Sequence, residues 1–186
     1  MGTSSKAIRL DLEAISSMQG GFFTTKQAVN AGYNDSVHPY HLRNGDWIRS
    51  YRGIYRLSSM EPPEWPELII YSLWSRDRND MPQGIYSHET ALMIHGLIPR
   101  TDRVLDMTVH KLFRKNCTIP KILKLYKNTM AESDWETRAG FRVATIERTF
   151  SDLEGTSNPQ LLEIISQHSS SASTRSFNDM LNMGFD

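Results

Sequence analysis

The sequence predicts the α+β fold class: a helical N-terminal part that ends in a strand hairpin, followed by a mixed second part. Apolar residues in 6–18 recur at intervals of three and four, the period of an amphipathic helix, and Gly20-Gly21 ends it. The alternation after Trp47 indicates two short strands around Arg52-Gly53, where glycine permits the positive φ of a tight hairpin. Helices followed by a hairpin are the element order of a winged helix-turn-helix.

Two further helices are predicted between the first helix and the hairpin. Thr24-Thr25-Lys26-Gln27 matches a capping box, so a second helix begins there and stops at Gly32. A third helix is predicted over 36–43, with Ser36 as its N-cap. Pro39 then falls at the third helical position, where an amide would have no intrahelical partner. The proline is therefore compatible with this helix.

Three prolines in Glu61–Pro66 block continuation of the preceding strand. They predict a boundary between a winged helix-turn-helix domain at 1–60 and a mixed α/β domain at 61–186. In the second domain we expect helices at 67–74, at 87–95 with Ser87 as cap, near 146–153 and at 159–168, and strands at 104–109, 122–126 and 141–145.

Charge is unevenly distributed along the chain. The 186 residues are 39% hydrophobic and 23% charged, with 21 basic and 21 acidic side chains. Residues 1–60 carry seven basic and four acidic side chains, a net of +3, and the other 126 residues carry −3. Within 43–56, four arginines are opposed only by Asp46: Arg43, Arg49, Arg52 and Arg56. A local positive field of this kind attracts phosphate even when the net charge is zero.

These features predict a surface that binds double-stranded DNA. In a winged helix-turn-helix, the third helix enters the major groove and the wing follows the backbone. Val37 and Leu42 are expected to hold that helix to the core. Arginine and asparagine can read guanine and adenine bidentately, and wing arginines contact phosphates. The predicted groove-facing residues are His38, Tyr40, His41, Arg43 and Asn44. The predicted wing contacts are Arg49, Tyr51 and Arg52.

Three segments resemble the AbiE-type antitoxins, the antitoxin half of type IV toxin–antitoxin pairs in abortive infection. The first segment, Gly21–Arg56, contains Gly-Phe-Phe-Thr-Thr-x-Gln-Ala and Arg-Gly-Ile-Tyr-Arg. The second, Ser87–Leu97, begins with Ser-His-Glu-Thr-Ala-Leu. The third, Val143–Leu153, contains Thr-x-Glu-Arg-Thr. The similarity spans roughly residues 18–155. It implies a regulator that binds its own operator, represses its operon and neutralises a nucleotidyltransferase-like toxin, by contact or indirectly.

Other function classes have weaker support in the sequence. Cys117 is the single cysteine, and no apolar run approaches the ~18 residues of a membrane span, so we expect a cytoplasmic protein without membrane association. No cofactor is predicted, because phosphate-cradling glycine loops and nucleophile elbows are absent from the sequence. Two alternatives remain open: a protein-interaction module that does not bind DNA, and a metal-dependent nuclease that uses Asp134 and Glu136, with Arg138 in place of the expected lysine.

The histidines and the charged residues of the second domain are expected to be structural. Leu92 occupies the place of the second histidine of a zinc-protease helix, and His88 and His95 have no cysteine or carboxylate at ligand spacing, so no metal site is predicted. Arg148 and Asp152 stand four apart on a predicted helix. We expect them to form an ion pair that braces this helix against the 87–95 helix.

Overall fold

The computed structural model describes residues 4–101, 104–154, 156 and 158–167. The described chain has the expected α+β class, with helices and two separate sheets. The last helix predicted is helical over 159–167, and its expected end at His168 lies outside the described residues. The serine-rich stretch at 169–174 also lies outside the described residues.

Six helices have both of their ends within the described residues: α1 Ser5–Ser17, α2 Thr25–Asn30, α3 His38–Arg43, α4 Pro66–Ser75, α5 His88–Ile94 and α6 Ile146–Asp152. The strands are β1 Phe22–Thr24, β2 Trp47–Tyr51, β3 Ile54–Leu57, β4 Gly84–Tyr86, β5 Leu105–Val109, β6 Leu123–Lys127, β7 Trp135–Arg138 and β8 Phe141–Ala144. Short 3₁₀ turns precede α3 at Asp35–Val37 and β7 at Glu132–Asp134. Across the described residues, every helix is too short or too polar to cross a membrane.

The first two helices both begin at a residue whose side chain caps the helix. The Ala7 amide donates to the Ser4 hydroxyl at 3.2 Å, which satisfies one free amide of α1. The predicted capping box of α2 is confirmed: the Gln27 amide donates to the Thr24 hydroxyl at 3.1 Å, and the Thr24 amide donates to the Gln27 side chain at 2.9 Å. Gly32 follows α2 with φ +109°.

The third helix begins two residues later than predicted, and Ser36 is not its N-cap. Asn34 takes that role for a 3₁₀ turn, with its side chain accepting from the Ser36 amide at 3.0 Å. The α-helical part then starts at His38, which places Pro39 in its first turn. Proline is well suited to this position because its φ is already helical.

The first sheet joins the hairpin to the short strand after α1. Its order is β1-β3-β2, and both pairings are antiparallel. Phe23 lies opposite Tyr55, and Trp47 lies opposite Leu57. The hairpin turns at Arg52-Gly53, where Gly53 has φ +70°. The predicted hairpin is therefore confirmed, with an irregularity between Arg49 and Tyr51.

The second sheet has the order β6-β5-β4-β8-β7 and mixes parallel with antiparallel pairings. Its strands β5, β6 and β8 match the prediction, but β4 and β7 were missed. All three residues of β4 are buried, so no polar alternation marks this strand. Strand β7 is an edge strand with mostly exposed polar residues, a pattern also typical of turns.

Helix α4 lies between the two sheets and contacts strands of both. Phe22 and Ile54 of the N-terminal part (residues 4–60) belong to the same buried cluster as Leu68 and Ile69 of α4. That cluster continues into the second sheet. The prolines of 61–66 therefore separate the two sheets along the chain, while the apolar core runs through both.

Candidate nucleic-acid interface

Trp47 anchors α3 to the first sheet. Its indole is 3% exposed and makes edge contacts with Phe23 at 4.9 Å and Tyr33 at 5.0 Å between ring centroids. The His41 ring stacks on it at 4.7 Å with an interplanar angle of 19°. Aromatic contacts of this kind add to the free energy of burial and restrict ring orientation. Trp47 thus joins α3 to the first sheet.

The structure corrects the expectation that His38 faces a ligand. His38 is 6% exposed, with its ring 5.1 Å from that of Trp47 and 6.1 Å from that of Tyr55. The late start of α3 turns its first residue toward the sheet. His38 is therefore a packing residue, and we remove it from the candidate contacts.

His41 is held by its neighbours and is only partly accessible. Its Nδ1 atom lies 2.9 Å from the Asp46 carboxylate, and the side chain is 21% exposed. Stacking on Trp47 and this hydrogen bond leave the ring little freedom. His41 can present an edge to a ligand, but its main contacts are within the N-terminal part.

The outward side of α3 presents Tyr40, Arg43 and Asn44. Tyr40 is 54% exposed, and Arg43 and Asn44 are exposed as well. The Arg43 Nε atom donates to the Pro39 carbonyl at 3.3 Å, which directs the guanidinium back along the helix. Asn44 ends the helix, with its amide donating to the Tyr40 carbonyl at 2.9 Å. Of the residues predicted to face the groove, these three are exposed.

The hairpin tip is tied to α2 by two hydrogen bonds to one carbonyl. The amide and hydroxyl of Thr25 donate to the Gly53 carbonyl at 2.9 and 3.3 Å. Arg49 and Arg52 are exposed on the hairpin. Their backbone is therefore positioned while their guanidinium groups remain in solvent, which is suitable for phosphate contacts.

Tyr51 does not lie with these arginines. Its ring makes an edge contact with Tyr71 of α4 at 5.8 Å between centroids, and it packs against the shared apolar cluster. The irregularity after Arg49 turns the end of β2 toward α4. We therefore correct the expected wing contact at Tyr51: this residue joins the hairpin to the C-terminal part (residues from 61 onward).

Three arginines of this surface have no carboxylate partner. Among the described residues, no ion pair includes Arg43, Arg49 or Arg52. Arg56, by contrast, points inward and donates to the carbonyls of Leu57 and Met60. The free positive charge at the surface is thus that of Arg43, Arg49 and Arg52, and it remains available to an anionic ligand.

No family model matches the chain, and neither does any curated protein. The resemblance to AbiE-type antitoxins therefore remains a prediction based on the motifs themselves.

The carboxylates of the nuclease alternative are engaged with arginines. Asp134 accepts from the Arg148 guanidinium at 3.1 Å, and Glu136 accepts from the Arg138 Nε atom at 2.5 Å. In the described part of the chain, no three histidine, cysteine or carboxylate side chains are grouped as metal ligands would be. The arrangement around Asp134 and Glu136 is that of ion pairs.

The predicted pair of Arg148 and Asp152 is present, at 2.9 Å, but it braces a different element. Arg148 also reaches Asp134 in the 3₁₀ turn before β7, so it ties α6 to that turn and not to α5. Ser87 is the N-cap residue of α5, as expected, but it caps the helix without a side-chain hydrogen bond. Its side chain instead contacts the side chains of Thr108 and His88.

The sequence analysis missed a polar cleft in the C-terminal part, which includes His88, Asp106 and Asp152. One signal was available: Asp106 is the one charged residue of β5, whose residues are all buried. Its proximity to the other two residues depends on the sheet order and could not be deduced from their spacing.

Proposed function

We propose that this protein is a DNA-binding transcriptional regulator whose N-terminal part acts as a winged helix-turn-helix. The observation that carries the proposal is the set of three exposed, unpaired arginines on α3 and the hairpin: Arg43, Arg49 and Arg52. The order of the elements and the anchoring of α3 by Trp47 support it. A helix held by a rigid aromatic contact can present side chains to a groove in a defined orientation.

Each accessible residue has a distinct role in this proposal. Arg43 and Asn44 contact base edges in the major groove, because their side chains can form paired hydrogen bonds with guanine and adenine. Tyr40 and the edge of His41 line the same side of the contact. Arg49 and Arg52 bind phosphates, which position the protein without reading sequence.

We further propose, on the resemblance alone, that the regulator is the autorepressing antitoxin of a type IV toxin–antitoxin pair. The C-terminal part would then serve the antidote function against a nucleotidyltransferase-like toxin. A reading frame downstream of the gene that encodes nucleotidyltransferase carboxylates would support this assignment. Co-expression gives the decisive result: growth arrest by that neighbour should be relieved by this chain, and unrelieved arrest would refute the antitoxin role.

DNA binding is tested by fluorescence anisotropy with a duplex from the region upstream of the gene, titrated at several salt concentrations. We expect specific binding whose affinity falls steeply with salt, because each bound phosphate releases counterions. An unrelated duplex of equal length is the control. Absence of binding to either duplex at low salt would refute the proposal and favour the protein-interaction module.

A further inference from the structure

A polar cleft of about 360 Å³ opens in the C-terminal part and shares no lining residue with α3 or the hairpin. Helix α5, strands β5 and β6, and the end of α6 each contribute side chains to it. The residues that matter here are His88, Asp106, Lys124, Tyr126, Asp152 and Glu154. Its volume is within the range of small-molecule sites, which begins at roughly 300 Å³.

The Asp152 carboxylate is buried but only half satisfied. Its side chain is 8% exposed, and Oδ1 accepts from the Arg148 Nε atom at 2.9 Å. Oδ2 is fully buried and has no hydrogen-bond partner among the described residues. Arg148 donates to Asp152 through its Nε atom, while its Nη1 atom donates to Asp134. A buried acceptor without a donor is unfavourable, so this oxygen is suited to a donor from a ligand.

Asp106 provides a second carboxylate in the same cleft. It is 8% exposed, and Oδ1 accepts from the Tyr126 hydroxyl at 3.0 Å, while Oδ2 makes no hydrogen bond within the described chain. Burial raises the pKa of this carboxyl. The lining also includes Glu89 and Glu154, against a single ammonium, that of Lys124. The cleft therefore has an excess of acceptors and of negative charge.

His88 forms a neutral wall of the cleft. Its ring stacks on Tyr126 at 3.7 Å between centroids, and its Nδ1 atom lies 3.0 Å from the Ser87 hydroxyl. Ser87 is fully buried and accepts from the Thr108 hydroxyl at 2.8 Å, which fixes its position beside the His88 ring. Burial also lowers the pKa of His88. This histidine therefore does not neutralise the carboxylates.

We propose that this cleft binds a small molecule that presents a protonated nitrogen group, an ammonium or a guanidinium, to Asp106 and Asp152. Such a group supplies the donors that both free carboxylate oxygens lack, together with the opposite charge. A divalent cation fits less well, because the described residues form no set of three metal-ligating side chains. The proposal goes beyond DNA binding and does not depend on it.

The test uses two probes of the same shape, butylguanidinium and neutral butylurea, with the full-length chain. Binding is followed by amide chemical shifts in ¹H–¹⁵N NMR spectra. We expect butylguanidinium to move the resonances of β5 and of the end of α6 in a saturable manner, and butylurea to bind at least about tenfold more weakly, as for the loss of a charged hydrogen bond. Asp152→Asn and Asp106→Asn should each weaken butylguanidinium binding by a similar factor. Glu147→Gln, an exposed carboxylate of α6, is the matched control and should leave binding unchanged.

The two aspartate variants lie on different elements, so either one that folds decides the question. Equal binding of the two probes, or no saturable shift with butylguanidinium, would overturn the proposal. So would unchanged affinity in a folded Asp152→Asn or Asp106→Asn variant. Saturable shifts of the same resonances with Mg²⁺ or Mn²⁺ but not with butylguanidinium would replace the organic cation by a metal and also overturn it.

Discussion

The Arg76 guanidinium donates a hydrogen bond of 2.6 Å to the Gln19 side-chain oxygen, and this contact joins the end of α4 to the end of α1. Gln19 is 5% exposed and also exchanges hydrogen bonds with the Gln27 side chain. Gln27 closes the capping box of α2. A continuous polar network therefore runs from the C-terminal part to the helix that supports the hairpin tip.

Replacing Gln19 should destabilise the whole chain. In Gln19→Ala, Arg76 loses an acceptor and the Phe22 carbonyl loses the Gln19 amide that donates to it at 3.0 Å. We expect a loss of about 2–3 kcal/mol in the free energy of unfolding, because buried polar groups are left without partners. Urea denaturation measures it. Gln160→Ala, at an exposed position, is the control, and equal effects of the two changes would show that the network is not stabilising.

Gly140 allows the β7–β8 turn to approach α1 closely. A Cβ atom there would lie 2.9 Å from the Met18 carbonyl oxygen, and its φ is +91°. Gly45 has a similar φ of +76° but no neighbour within 4 Å of such an atom. Gly45→Ala should lower the free energy of unfolding by about 1 kcal/mol through backbone strain alone. Gly140→Ala should lower it by about 1–3 kcal/mol more, because the added Cβ atom also clashes. Thermal unfolding measures the stability of both variants, and the difference between them is the contribution of the clash. Equal losses of stability would mean that the turn moves to relieve the clash.

Asp106→Asn should stabilise the protein at neutral pH. Burial raises the pKa of Asp106, so the unfolded chain releases this proton at a lower pH than the folded chain does. Protonated Asp106 therefore contributes stability that is fully present below the unfolded pKa of about 3.9. This contribution is lost as the pH rises through the folded pKa. Asparagine can still accept from the Tyr126 hydroxyl.

The urea midpoint of Asp106→Asn should accordingly exceed that of the native chain at neutral pH, and the difference should shrink at about pH 3. His88, Glu89 and Lys124 are the other charged or titratable groups whose fields act on this carboxyl. Glu147→Gln controls for the removal of one carboxylate from the C-terminal part. A lower midpoint for Asp106→Asn at neutral pH would contradict the assigned pKa direction.

Loss of either hairpin arginine should weaken DNA binding for all sequences. If the proposed function holds, Arg49→Ala and Arg52→Ala each remove one phosphate contact, and the slope of log affinity against log salt should then fall by about one. Lys127→Ala, an exposed cation at the end of β6, should leave this slope unchanged. Salt-titrated anisotropy measures the three slopes, and a native slope in both arginine variants would remove the hairpin from the interface.

Changes at the end of α3 should alter sequence preference. Arg43→Ala or Asn44→Ala should reduce discrimination at one base pair by about 1–3 kcal/mol, because paired hydrogen bonds to a base edge are lost. Selection from a randomised duplex library before and after each change reveals the affected position. The same consensus site in both variants would place α3 outside the groove. Lys127→Ala again serves as the control.

Local interactions explain the parts of the fold that were predicted correctly. Thr24 and Gln27 satisfy each other's backbone groups within one turn, and Gly53 alone supplies the positive φ of the hairpin tip. Strand β4 was missed because its residues are all buried and do not alternate, and because its partners β5 and β8 lie far away in the chain. Strand β7 pairs with its neighbour β8, but its mostly exposed polar residues do not form an alternating pattern.

The candidate interface was predictable in composition but not in orientation. The sequence shows that arginines cluster between residues 43 and 56, but not that Arg56 alone among them points inward. His38 and Tyr51 lie close to these arginines in the sequence, yet His38 is buried and Tyr51 packs against Tyr71 of α4. For His38, the 3₁₀ turn capped by Asn34 delays the start of α3. For Tyr51, the contact with Tyr71 lies across the proline-rich segment.

The amino-acid sequence by itself determined the capping box, the hairpin and the local excess of positive charge, because each depends on residues within a few positions of one another. The tertiary structure decided which side chains of the arginine-rich stretch remain in solvent. It also decided that Gln19 meets Arg76 and that His88, Asp106 and Asp152 line one cleft. Those neighbours come from separate elements, and only sheet order and packing bring them close together.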